Sequence, residues 1–130
     1  MIVDASAICA ILLKEAEGAV MAKALAANPD SLIGPIQVWE ANVALSRRLQ
    51  GDQSSLVDDL IQRASLSVVT IGPDEAKLAF EAWLRFGKGR HPAGLNLGGC
   101  FAYALAKSRG LPLLYKGDDF SQTDVRSALR

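Results

Sequence analysis

MIVDASAICAILL, residues 1–13, opens the chain as a strand followed by a helix. Met1-Ile2-Val3 is a short β-type run that stops at Asp4, and Ser6 is a candidate cap for a helix over Ala7–Leu13. The same succession recurs downstream. A helix is predicted over Glu17–Ala27, stopped by Asn28-Pro29-Asp30, and a strand over Ser31–Ile33, closed by Gly34-Pro35. Pro35 suits the first turn of a helix running to Gln50 and ended by Gly51. Gln53–Ala64 is amphipathic, and Leu66–Ile71 is rich in β-branched residues and reads as a strand. Pro73–Phe86 reads as a helix opened by Pro-Asp-Glu, with acids where the helix dipole favours them. A glycine- and base-rich loop, GKGRHPAG at 87–94, precedes a helix to Ser108 ended by Gly110. Pro112–Tyr115 is an apolar strand, and Val125–Leu129 is a candidate edge strand. Strands alternating with helices predict an α/β fold with a mostly parallel sheet.

The totals narrow the function classes. At 130 residues the chain is expected to form one domain with a real core. Its formal net charge is zero, so binding to nucleic acid must come from a local patch. No apolar run approaches membrane-span length, and no basic leader precedes Asp4, so a cytoplasmic protein without a membrane anchor is expected. Cys9 and Cys100 fall in predicted helices without metal-ligand spacing and read as reduced core thiols. The lone histidine, His91, beside Pro92, reads as a solvated loop residue.

Several acids lack a local partner. Asp4 ends the first strand, and Asp118 and Asp119 follow the strand at Pro112–Tyr115. Ligands of open α/β sheets bind at the carboxyl ends of strands, so these acids are candidates to meet there. Taken alone, Asp4 is better explained as a turn or helix-cap residue. Asp118, Asp119 and Asp124 read equally as a solvated acidic turn. Glu40 has no basic residue within one helical turn and sits among apolar neighbours. It is either a solvated glutamate or a buried acid that needs a cation or a distant partner. If three or four such carboxylates converge, hard divalent cations such as Mg²⁺ or Mn²⁺ are the fitting counter-charge, and such sites hydrolyse phosphodiesters.

LNLGGCFAYALA, residues 95–106, adds a puzzle, because two glycines stand near the start of a good helix. They mark either a close approach or a missing side chain. A phosphate cradle is disfavoured, since no Walker-type lysine follows.

Over essentially its whole length the chain resembles a PIN-domain ribonuclease, the toxin of VapC-type toxin–antitoxin pairs. The resemblance rests on VDASA at 3–7, WEANVAL at 39–45, GKGRHPAGLNLGGCFAYALAK at 87–107 and PLLYKGDDFSQTD at 112–124. It implies a three-layer α/β/α sandwich with a mostly parallel central sheet, formed by residues 1–130 as a single PIN domain. It also implies an acidic pocket for Mg²⁺ or Mn²⁺. The family's first acid corresponds to Asp4, its helical glutamate to Glu40, and its late acid best to Asp119, with Asp124 as an additional member. The remaining acid belongs to a pattern resembling LN-x-GDCFAYALA, and here that position is Gly99. The double glycine then reads as a missing aspartate.

By this resemblance the activity is endoribonucleolytic and metal-dependent, and impaired by Gly99. Asp4 and Asp119 would hold the metal, while Glu40 would hold it or orient water. Lys88, Arg90 and His91 are candidates for RNA phosphate contacts and read equally well as a solvated loop. The implied partners are a VapB-type antitoxin whose tail blocks the pocket, an RNA substrate and a second copy of the chain. The alternative is a catalytically inactive PIN-fold module that binds antitoxin or RNA. A DNA-directed nuclease or a phosphatase using the same carboxylates is a third reading.

Overall fold

Successive residues of each strand point to opposite faces, and that alternation sets the layers. In the computed structural model, which describes residues 1–129, β1 is Ile2–Val3, β2 Leu32–Ile33, β3 Ser67–Val68 and β4 Leu113–Leu114. Ile2, Leu32 and Leu113 pack into one apolar cluster, and Val3, Ile33 and Leu114 into another. The first cluster is completed by α5 (Pro73–Phe86) and α6 (Leu97–Arg109). The second is completed by α1 (Ala5–Leu12), α2 (Gly18–Ala26), α3 (Pro35–Leu49) and α4 (Ser54–Arg63). Among the described residues six α-helices therefore cover both faces of a four-stranded sheet, the expected three-layer α/β/α sandwich.

The strand order is β3-β2-β1-β4, with every named pairing parallel. The chain builds outward from β1 to β2 and β3, then crosses back to place β4 on the other side of β1. The carboxyl ends of β1 and β4 therefore flank the topological switch point, where ligand crevices form in open α/β sheets. Asp4 leaves β1 there, and the segment bearing Lys116 and Asp119 leaves β4 beside it.

Three boundaries differ from the sequence expectation for identifiable reasons. The strand predicted over Leu66–Ile71 pairs only at Ser67 and Val68, with Val69 N–H donating a last bond to the Ile33 carbonyl. β2 supplies no further ladder because Gly34 and Pro35 begin α3. The predicted edge strand at Val125–Leu129 is reduced to one parallel bridge between Leu113 and Ser127. The helix predicted from Ala7 starts at Ala5, because Asp4 rather than Ser6 caps it. Elsewhere Gln50, at φ 52°, closes α3 in the left-handed region, and Gly110, at φ 64°, closes α6 as expected.

Leu114 has no exposed surface and packs with Val3 and Ile33. Leu114→Ala is expected to cost about 2–5 kcal/mol of stability. Urea unfolding should show a lowered midpoint at an unchanged slope.

Candidate active site at the carboxyl ends of β1 and β4

Asp4, Glu40, Gly99 and Asp119 line a single cavity of about 220 Å³. The three acids that the sequence singled out from far-apart segments are thus brought together, and the odd glycine stands among them. Asp4 is buried. Its Oδ2 accepts from the Ser6 backbone N–H at 3.0 Å and from the Ser6 hydroxyl at 2.6 Å. Ser6 Oγ in turn accepts from the Lys116 backbone N–H at 3.0 Å. A hydrogen-bonded chain therefore runs from the end of β4 to the acid at the end of β1. Asp4 is both helix cap and cavity acid, so the two readings of its role coexist. Burial pushes its carboxyl above the usual carboxylate range, against hydrogen bonds from Ser6 and Ala5, and the nearby Asp119 charge adds to the upward shift.

Glu40 is half-buried on α3, and its carboxyl is pushed up to about 7 by burial and then by the Asp4 charge. Its place is fixed by α6. A Cβ built on Gly98 would overlap the Glu40 carboxylate, so only glycine leaves room for this acid. The Gly98 carbonyl also accepts from Gln37 Nε2 at 2.8 Å. Gln37 lies three residues before Glu40 on the same helix and is fully buried.

The two glycines therefore have different explanations. Gly98 is a close approach. Gly99 is not: a Cβ there meets Asn96 Oδ1 at 3.3 Å and Leu95 Cδ2 at 3.4 Å, which calls for a few tenths of an ångström of adjustment by exposed Asn96. Neither glycine replaces a helix cap. Asn96 caps α6, its Oδ1 accepting from Gly99 N–H at 2.8 Å, and this asparagine was a legible N-cap signal in LNLGG.

Asp124 is not brought to the cavity. Its carboxylate accepts from the Tyr103 hydroxyl at 2.5 Å and from Lys107 Nζ at 3.2 Å, with Arg85 at 3.7 Å. Asp118 is exposed and lies off the cavity wall, its carbonyl accepting from the Ser121 hydroxyl. Lys88 and Arg90 also lie away from the cavity, beside α5. His91 is a structural residue rather than a solvated one. Its Nδ1 accepts from Ala93 N–H at 3.0 Å, and its ring meets Phe86 edge-on at 5.2 Å. Cys9 and Cys100 are free thiols, the first half-buried and the second buried. Sequence reasoning missed Lys116 on the cavity wall, whose Nζ pairs with Glu15 at 2.6 Å and Glu17 at 3.6 Å.

The position of Asp124 gives it a measurable role in stability. Bonds from Tyr103 and Lys107 hold its carboxyl below the ordinary range, while burial, and then the hydrogen bond to Asp124 and its charge, push the Tyr103 hydroxyl up to about 12. A depressed folded-state pKa stabilises the fold above the unfolded value, and that contribution is lost as pH falls through the folded value. Asp124→Asn is expected to cost below about 1 kcal/mol at neutral pH, since the site is solvent-screened. Thermal melts of variant and parent should converge in acid, below the usual carboxylate range.

The carboxylates of Asp4, Glu40 and Asp119 are hard oxygen donors of the kind that suit Mg²⁺ or Mn²⁺. Among the described residues, however, no three His, Cys, Asp or Glu side chains are gathered closely enough to hold an ion. The donor chemistry fits a divalent cation, and Gly99 adds no side-chain oxygen to the cavity wall.

Comparison with known proteins identifies the family. The PIN-domain family profile matches residues 1–126. Ribonuclease VapC42 of Mycobacterium tuberculosis is 41% identical over 129 residues, covering 98% of each chain. A VapC ribonuclease of Rhizobium meliloti is 44% identical over 138 residues, covering 95% of this chain and 97% of its own. The crystal structure of M. tuberculosis VapC20, described as a sarcin–ricin loop cleaving toxin, shares the fold with a TM-score of 0.71 at 20% identity. It covers 96% of this chain and 98% of that one.

Proposed function

The chain belongs to the VapC ribonucleases of the PIN-domain family, and from that premise we propose that it is the endoribonuclease toxin of a toxin–antitoxin pair, with hydrolysis impaired by Gly99. The observation that carries this reading is the cavity itself, where Gly99 stands on the same wall as Asp4, Glu40 and Asp119. With an aspartate at 99, Asp4, Asp119 and that residue would hold Mg²⁺ or Mn²⁺. The cation would polarise the RNA phosphodiester and make water a better nucleophile. Glu40, pressed against Gly98 on the cavity wall with its carboxyl raised by burial, would orient water or accept its proton. Ser6 holds Asp4 in place.

The proposed partners follow from the same cavity. A guanidinium from the tail of a VapB-type antitoxin matches a carboxylate cluster bidentately and would block it. A homodimer acting on cytoplasmic RNA completes the reading. No helix among the described residues is long and apolar enough to cross a membrane.

A second reading is an inactive PIN-fold module that binds antitoxin or RNA, and the missing three-acid group favours it for the chain as it stands. The test is cleavage of RNA, single-stranded DNA and a small phosphodiester by this chain and its Gly99→Asp version, with Mg²⁺, Mn²⁺ and chelator. RNA cleavage by the aspartate version, abolished by chelator, supports the proposal. Inactivity of both versions supports the binding module, and preference for DNA or the small ester overturns the RNA assignment.

A further inference from the structure

α5 carries two apolar stripes, and the fold uses only one. Ala79, Ala82 and Phe86 are buried against α6 and the sheet. Ala76, Phe80 and Trp83 recur at helical spacing on another face, where Phe80 is 59% and Trp83 39% exposed. Together with Leu97, 67% exposed, they wall an open groove of about 400 Å³. Leu95 and Asn96 line both this groove and the acidic cavity, so the two are adjacent.

We propose that this groove is a stacking subsite for an unpaired base of the RNA strand whose phosphate lies over the acidic cavity; the proposal rests on the reading of the chain as an RNA-directed PIN toxin. Three observations point to a nucleobase. The first is the presentation of π-faces: the Phe80 and Trp83 rings lie near-parallel, 17° apart, with centroids at 6.1 Å. Such exposed aromatics accept any base, because every base has a π-face. The second is charge. Among the described residues Lys88 is the one charged side chain on the groove wall, and no carboxylate lines it. The Arg90 guanidinium lies over the Trp83 ring, 4.9 Å from its centroid, so it caps one face of the aromatic pair with a second cation and leaves the exposed Phe80 ring as the open face. That combination of aromatic rings and cations is how single strands are held through base and backbone. The third is preorganisation. Gly87 approaches the Trp83 indole so closely that a Cβ at 87 would overlap it, so the ring is held against backbone.

The competing occupant is a second copy of the chain, and the experiment separates the two. Trp39, 65% exposed and outside the groove, is replaced by Phe so that Trp83 is the reporter. A labelled single-stranded oligoribonucleotide is titrated with Mg²⁺, its integrity checked by gel. Saturable quenching of Trp83 is expected. With affinity read from the anisotropy of the labelled oligonucleotide, Phe80→Ala and Trp83→Ala should each weaken binding roughly tenfold, while Trp83→Phe retains most of it. An oligonucleotide with abasic positions should lose the dependence on these rings. Both side chains are partly exposed, so the truncated variants keep their core, and circular dichroism checks that. Undiminished affinity in the double variant overturns the subsite and leaves RNA cleavage by Gly99→Asp standing. Conversion of a dimer to a monomer with unchanged RNA affinity also overturns it, and assigns the face to a second copy. Failure of the parent to bind RNA, together with failure of Gly99→Asp to cleave it, overturns the functional reading and this proposal together.

Discussion

Gly99→Asp is expected to raise Mg²⁺- or Mn²⁺-dependent RNA cleavage by roughly 100-fold or more, the scale on which a single electrostatic contributor to catalysis is measured. The residue lines the cavity with Asp4, Glu40 and Asp119. It occupies the third position of α6, where an acid is favoured by the helix dipole. Replacing glycine by aspartate in a helix also gains about 0.3 kcal/mol of propensity. Against these gains, a new carboxylate adds like-charge repulsion to a cavity where Asp119 already raises Asp4 and Asp4 already raises Glu40. The two effects separate experimentally. Without metal, the variant should melt close to the parent. On adding Mn²⁺, it should gain more thermal stability than the parent, because ligand binding to the folded state alone shifts the melting point by mass action. Equal cleavage by parent and variant, with equal metal dependence, would show that position 99 holds no ligand.

The alternation of strand and helix was legible because the breaks are chemically loud: Asn28-Pro29, Gly34-Pro35, Gly72-Pro73 and Gly110 each interrupt a periodic run. The ends of strands were less legible, because a strand lasts only as long as its neighbour's ladder. Val69 and Ile71 have every local property of strand residues, yet β2 has already turned into α3 beside them. The cavity acids were found by two different signals. Asp4 and Asp119 follow strands, and Glu40 lacks an ion-pair partner within its helix. Asp124 failed by the same logic that found Asp119. Its direction depends on Tyr103 and Lys107 of α6 and Arg85 of α5, which no local pattern around residue 124 discloses. The two adjacent glycines were told apart only by the family resemblance, not by any local signal in the residues themselves. One faces a carboxylate delivered by α3 and the other faces the cavity, a difference that exists only after α3 and α6 have packed.

That difference yields a second large expected effect, one that separates stability from activity. In the Gly99→Asp background, Gly98→Ala should lower RNA cleavage by roughly 100-fold, the scale of losing a positioned acid or base. Its thermal stability should stay near the starting level. The new methyl group would overlap the carboxylate of Glu40, the far end of a flexible side chain, so the carboxylate can swing away while the backbone stays in place. Alanine also favours the helix over glycine, which offsets whatever the displaced side chain loses in contacts. Gln37→Leu is the structural control. It removes the buried bond that ties α3 to the Gly98 carbonyl of α6 at 2.8 Å and should lower stability as well as rate, because the two helices lose a hydrogen bond between them. Loss of rate with retained stability in Gly98→Ala, beside loss of both in Gln37→Leu, would locate the effect in Glu40. Full activity in Gly98→Ala would mean that the reaction does not use Glu40 where α6 holds it.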